Sequence, residues 1–244
     1  MPRISYGADR YVPGEEDLVM VPSRRLRRQM GRGVVYCHSS GGGAAQLQTA
    51  DSRAEHDLLA AIADSGFPII APDLGGPSHT WGNDLAVQRI GQARAYLQGR
   101  WGAAPGPVFL LGVSMGALDM LNYARHQRTS VAGLVAILPV TDLDQLRALG
   151  ADDLQTNIDR AWGVAYPDPL PPAANPARHT EELRGVPYLA FYASDDPLLP
   201  GPSVSGFAAA VGGRAIDLGH FGHTQALIGE VPVPEVVAFL RQNC

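Results

Sequence analysis

The 244-residue chain contains no lysine, so all 19 of its basic side chains are arginines. That absence reads as the imprint of high-GC coding rather than a demand for guanidinium groups, but it has one chemical consequence. A phosphate-binding loop ending in Gly-Lys-Ser/Thr cannot exist here, and Gly41-Gly42-Gly43 is therefore no nucleotide cradle. Cysteine is nearly as scarce. Cys37 and Cys244 cannot build a disulfide framework, and Cys37, inside an apolar run, reads as a buried inert thiol. Basic charge is in the minority: 24 acidic side chains against 19 basic ones leave a net charge of -5, which disfavours nucleic acid as a partner because the phosphate backbone demands local positive charge. No stretch reaches the roughly 18 apolar residues of a membrane-spanning helix. The opening Met1-Pro-Arg-Ile-Ser-Tyr6 has neither the charged start nor the apolar core of a secretory signal, so the expected location is cytoplasmic, with non-classical release or virion association as the other routes. His56, His79, His126 and His179 fall at no metal-ligand spacing, and neither metal nor cofactor is expected.

What is present points to a folded globular chain. A hydrophobic share of 45% with 18% charged residues is enough to fill a core and too little for a membrane bundle, and the length suits one large α/β or all-β domain. Short apolar runs at 18–21, 33–39, 67–71, 108–113, 131–140 and 187–193 read as strands. Between and after them, 52–65, 85–98, 115–125 and 233–241 carry apolar residues at helical spacing. The alternation predicts an α/β fold, a mainly parallel sheet flanked by helices on both faces, with the strand at 18–21 at its edge. Arg24-Arg25-Leu26-Arg27-Arg28 reads as a solvated hairpin between two early strands. Residues 141–185, rich in proline in their second half, break the rhythm and predict a small lid or cap rather than a second domain, with Leu146, Leu149, Leu154, Ile158 and Trp162 as its apolar face.

Chemistry concentrates in four places. Gly112-Val113-Ser114-Met115-Gly116 matches G-x-S-x-G where a strand meets a helix, a junction that lifts the serine hydroxyl above the sheet on a strained turn and needs small flanking residues. His38-Ser39-Ser40-Gly41-Gly42-Gly43 follows the Gly33–Cys37 strand, and Ser194-Asp195-Asp196 ends the 187–193 strand. Gly219-His220-Phe221-Gly222-His223 closes a last short strand.

Taken in order, these segments resemble the α/β-hydrolase family from about residue 18 to the C-terminus. The resemblance implies Ser114 as nucleophile, Asp196 as acid and His220 as base, in that chain order. Asp195 and Asp142 stand as alternative acids, and His223 as the alternative to His220. It implies backbone N–H groups of Met115 and Ser40 as oxyanion donors, with Ser39 the alternative to Ser40, since Ser-Ser stands where the family more usually has glycine. His38 is expected to orient its loop. Trp81 and Asn83 are candidates for the site mouth. The implied activity is serine hydrolysis of carboxylic esters through an acyl-enzyme, on a small-molecule or lipid-like ester. The other implied readings are a deacylase acting on a cell-envelope polymer or lipid, phage-encoded, and a catalytically silent hydrolase-like binding protein. Oligomeric state is not legible.

Overall fold

Strands form where runs of aliphatic and β-branched residues are covered on both sides. In the computed structural model, which describes residues 3–7, 17–22, 31–74, 80–150 and 152–244, the strands are β1 (Arg3–Gly7), β2 (Asp17–Val21), β3 (Arg32–Cys37), β4 (Ile69–Ala71), β5 (Ala104–Val113), β6 (Val131–Ile137), β7 (Tyr188–Tyr192) and β8 (Arg214–Asp217). Every residue of β2, β4 and β6 is buried, the pattern of a sheet with neither face in water. The strands form one sheet in the order β1-β2-β4-β3-β5-β6-β7-β8. Pairings from β4 through β8 are parallel, while β2 runs antiparallel to both β1 and β4. The 18–21 strand is therefore one place inside the edge, because β1 pairs along its outer side. The Arg24–Arg28 cluster lies outside the described residues.

The helices are α1 (Arg53–Asp64), α2 (Asp84–Trp101), α3 (Met115–His126), α4 (Leu143–Ala148), α5 (Asp152–Trp162), α6 (Thr180–Leu183), α7 (Gly201–Val211), α8 (Gln225–Gly229) and α9 (Val233–Gln242). Contacts sort them into two groups. Helix α1 packs on α8 and α9, whereas α2 packs on α3, and α3 on α6. Asn83 does not line the site. It caps α2, accepting from Leu85 and Ala86 N–H groups, since the first-turn donors of a helix have no partner of their own.

The strand order reverses between β3 and β5: from β3 the chain steps outward to β4, then crosses back to β5 and proceeds the other way. At such a switch the loops leaving the two strands diverge and open a crevice at the carboxyl ends of the sheet. Register brings those ends level, with Cys37 opposite Gly112, Gly112 opposite Ala136 and Ile137 opposite Phe191. The loop at Ser39 and the turn at Ser114 are consequently neighbours.

The 141–185 segment is three short helices, α4, α5 and α6, joined by turns rather than one helix. Arg147 holds it together: its guanidinium donates to the Asp159 carboxylate at 2.6 Å and to the Asp168 carbonyl at 2.6 Å, and lies 5.3 Å from the centre of the Tyr166 ring. Asn175, buried, donates to both Asp142 (2.7 Å) and Asp144 (2.5 Å).

Glycine packing sets the geometry at the switch. A Cβ at Gly116 would stand 2.1 Å from the Cys37 carbonyl oxygen, and one at Gly112 would stand 2.5 Å from the Gly116 oxygen. Both obstacles are backbone, so neither can yield cheaply. Gly116→Ala should therefore destabilise the fold by about 3 kcal/mol or more, whereas Gly99→Ala in α2, where nothing lies within 4 Å, should stabilise it by about 0.5–1 kcal/mol. Urea melts of the two variants check this; equal effects would contradict the packing.

Candidate active site

Ser114 sits at the end of β5 and caps α3 with φ 52° and ψ -114°, a backbone region that a side chain enters only under compulsion. Compulsion comes from the hydrogen bond of its N–H to the Ile137 carbonyl (2.9 Å) and from the glycine packing on either side. Its Oγ lies 3.0 Å from His223 Nε2, and His223 Nδ1 lies 2.8 Å from Asp196 Oδ2. The carboxylate at Nδ1 selects the tautomer protonated there, leaving the Nε2 lone pair to accept from the serine hydroxyl.

The imidazole beside Ser114 is thus that of His223, and the expectation that His220 would stand there is corrected. The His220 side chain is 83% exposed, and its Nδ1 is 3.8 Å from Asp195 Oδ2. Distance is the physical reason. β8 lies three strands from β5, about 14 Å at ordinary strand spacing, so a histidine three residues beyond β8 has not yet travelled back to Ser114. Two glycines in left-handed conformation, Gly219 (φ 99°) and Gly222 (φ 57°), turn the loop so that the later histidine arrives. Gly-His occurs twice in this loop, and that repetition was the available signal for the second one.

The carboxylates divide the work. Asp196 Oδ1 accepts from Leu198 and Leu199 N–H groups (2.9 and 3.0 Å), which fixes Oδ2 toward the imidazole. Asp195 accepts from Gly222 N–H at 2.7 Å and so holds the loop that carries His223. Asp142 is spent elsewhere: it caps α4 through Gln145 N–H and accepts from Asn175, placing it outside the site.

On the β3 side, Gly42 N–H donates to the Ser39 carbonyl at 3.0 Å with Gly41 at φ 78° between them, a type II turn over residues 39–42. His38 is buried and bridges this turn to the next loop. Its Nε2 accepts from Leu74 N–H (3.2 Å), and its Nδ1 donates to the Ser39 carbonyl (2.9 Å). Burial lowers its pKa, with the Ser39 carbonyl and Asp73 acting against, which suits a neutral ring holding two loops.

A cavity of about 270 Å³ opens at Ser114 and His223, and Ser39 and Ser40 line it too. Of the five expected cap residues, Leu146 and Leu154 line it; the other three do not. Leu149 is 48% exposed because it follows the last residue of α4, and Gly150 (φ 68°) breaks the face that a single helix would have presented. Ile158 is fully buried in the core, and Trp162 instead donates its indole N–H to the Trp81 carbonyl at 2.8 Å. Trp81 lines the cavity with φ 39°, and its turn is pinned from beneath by Asp119, a residue that motif reading passed over. Asp119 accepts from Gly82 N–H (2.6 Å) and from the Thr80 hydroxyl (2.9 Å). Burial raises its pKa to about 7 although both hydrogen bonds act to lower it. Among the described residues no group of three or more His, Cys, Asp or Glu is placed to hold a metal ion, and no helix is long and apolar enough to cross a membrane.

This arrangement of sheet, strained serine turn and returning histidine defines the α/β-hydrolase fold. The solved structures agree: the chain is similar to an esterase/lipase from an uncultured bacterium (19% identity, 99% of this chain and 85% of that one, TM-score 0.71). It is similar also to FphF, a fluorophosphonate-binding serine hydrolase of Staphylococcus aureus with substrate bound (12%, 98% of each chain, TM-score 0.72). A third likeness is to Est1E from Butyrivibrio proteoclasticus (13%, 98% and 96%, TM-score 0.66). No protein-family model matches the chain, and no curated protein matches it in sequence.

The Asp119 carboxyl carries a sign-definite pH effect. Its folded pKa of about 7 lies above the ordinary 3.8, so the stability it contributes is present in full below the lower value and is lost as pH rises through the upper one. Asp119→Asn keeps an acceptor for Gly82 and cannot ionise. Thermal melts at about pH 5 and about pH 8 should show the variant losing less stability at the higher pH than wild type does. Equal losses would contradict the buried-carboxyl account.

Proposed function

We propose that the protein is a serine hydrolase that cleaves carboxylic esters through an acyl-enzyme. The observation that carries this reading is the continuous hydrogen-bonded line from Ser114 Oγ through His223 to Asp196, set on a strained strand-to-helix turn at the floor of a largely apolar cavity.

In this reading His223 Nε2 takes the Ser114 proton as Oγ attacks the ester carbonyl, and Asp196 stabilises the imidazolium that forms. The developing oxyanion is held by the N–H of Met115, a first-turn donor without an intrahelical acceptor at the start of α3, where the helix dipole favours negative charge. The second donor is Ser40 N–H, at a turn position whose closing bond uses Gly42 instead. Imidazolium then protonates the departing alcohol, and water repeats the sequence on the acyl-enzyme. Ser39, the other oxyanion candidate, has its carbonyl tied to His38 and Gly42 and serves to shape the turn. The 141–185 segment acts as a small cap that walls the acyl side through Leu146 and Leu154.

Turnover of a p-nitrophenyl ester should fall by about a thousandfold or more in Ser114→Ala and in His223→Ala, and stay within a few-fold of wild type in His220→Ala. A fluorophosphonate probe should label Ser114. Labelling that persists in Ser114→Ala, or greater damage from His220→Ala than from His223→Ala, would overturn the assignment. Leu154→Ala should shift preference toward longer acyl chains; an unchanged chain-length profile would remove the cap from the acyl pocket.

A further inference from the structure

The cavity is sorted by polarity across the nucleophile, and the sheet order does the sorting. Ser114 leaves the central strand β5. On the β3 side the lining consists of Ser39 and Ser40, joined by Thr224 and Gln225 from the start of α8, a helix that packs on α1. On the β6 and β7 side it is Leu138, Val140, Leu146, Leu154, Leu198 and Leu199. Trp81 and Ile228 add apolar surface, and among the described residues no Asp, Glu or Arg side chain lines the cavity. Exposure follows the same division: Thr224 and Gln225 are exposed, whereas Leu138, Val140, Leu146 and Leu199 are buried. One end is therefore open and hydroxyl- or amide-lined, the other closed and aliphatic.

Reaction chemistry says which half of an ester belongs at each end. The proton that expels the alcohol comes from His223 Nε2, so the leaving oxygen must lie within reach of that atom. Thr224 and Gln225 directly follow His223 in the chain, and the alcohol accordingly lies against them. The acyl chain takes the opposite direction, into the aliphatic end. Gln225 is not a free-swinging surface amide, because its Nε2 donates to the buried Glu55 carboxylate at 3.3 Å. Burial raises the Glu55 pKa, with Gln225 and the Tyr36 and Ser52 hydroxyls acting against. That contact consumes one of the two amide donors and leaves the other, with the carbonyl oxygen, to a ligand.

We infer that the preferred substrate joins an uncharged aliphatic acyl group to a small polyhydroxylated alcohol, whose free hydroxyls hydrogen-bond Gln225, Thr224 and the Ser39–Ser40 turn. This rests on the esterase reading above. Among the described residues the cavity lining offers no arginine to a leaving group that carries phosphates.

The test compares kcat/KM for two esters with the same acyl group and the same number of alcohol carbons, glycerol 1-monobutyrate and propyl butyrate. Wild type should favour the glycerol ester by about tenfold or more, the yield of one or two added hydrogen bonds. Gln225→Leu should lower that ratio by about fivefold or more, and Ser39→Ala by a smaller factor. Both are cavity-lining side chains outside the core, and thermal melts would confirm folding. A wild-type ratio at or below one, or a ratio unmoved in both variants, overturns the inference while leaving the esterase reading intact. Failure of wild type to turn over either ester or p-nitrophenyl butyrate overturns the esterase reading itself.

Discussion

The site depends on a contact between two pieces of backbone. Helix α3 begins so near the end of β3 that the Cys37 and His38 carbonyls occupy the space where a side chain at residue 116 would stand, and Gly112 faces the Gly116–Ala117 peptide just as closely. The connection between β5 and α3 is left no relaxed path, and Ser114 takes up the difference in a left-handed backbone conformation. Such a conformation persists only where surroundings over-determine it. Here they do so through the Ser114 N–H bond to Ile137 and the full burial of Met115, Ala117 and Leu118. The same closeness brings the backbone of Cys37 and His38, which leads into the Ser39–Gly42 turn, against the first turn of α3.

The remaining partner has to be brought from the far side of the sheet. The loops after β7 and β8 are laced together: Ser194 N–H donates to Gly219 O at 3.0 Å, and Gly222 N–H to Asp195 at 2.7 Å. Adjacent aspartates thereby have separate duties, Asp195 on the backbone of the histidine loop and Asp196 on the imidazole. An error in either changes the reach of His223, because an imidazole delivered by an irregular loop is only as well placed as the hydrogen bonds that hold the loop.

A second polar anchor supports the cavity wall. Asp119 holds the turn that carries Trp81, and Trp162 and Asn83 tie that turn to the end of α5 through the Trp81 and Ala161 carbonyls. A buried carboxyl with a pKa of about 7 is costly to keep ionised, yet apolar replacement would orphan the Gly82 N–H and the Thr80 hydroxyl. The 141–185 segment is joined to the body at this point and is held together internally by the Arg147 cluster, so the cavity wall is a set of linked elements rather than a loose flap.

Much of this was legible in residue order. Strand runs with both faces apolar, the helix after Ser114 and the G-x-S-x-G spacing are local properties, because periodicity and glycine sterics act over a few residues. So are the carboxylates at the end of β7 and the paired Gly-His steps after β8. Which histidine reaches the serine was not local. It depends on the width of sheet between β5 and β8 and on two glycine turns whose directions add, and a three-residue offset along the chain becomes the difference between an exposed ring and one 3.0 Å from Ser114. Asp119 and Gln225 match no motif at all, since their partners at Gly82, Thr80 and Glu55 are remote in sequence. By itself the sequence determined the strands apart from β1, the strand-to-helix turn at Ser114 and the order in which serine, aspartates and histidines follow one another along the chain. Only the tertiary structure decided which histidine lies beside Ser114 and the polarity of the cavity, because both follow from which loops the strand order places side by side.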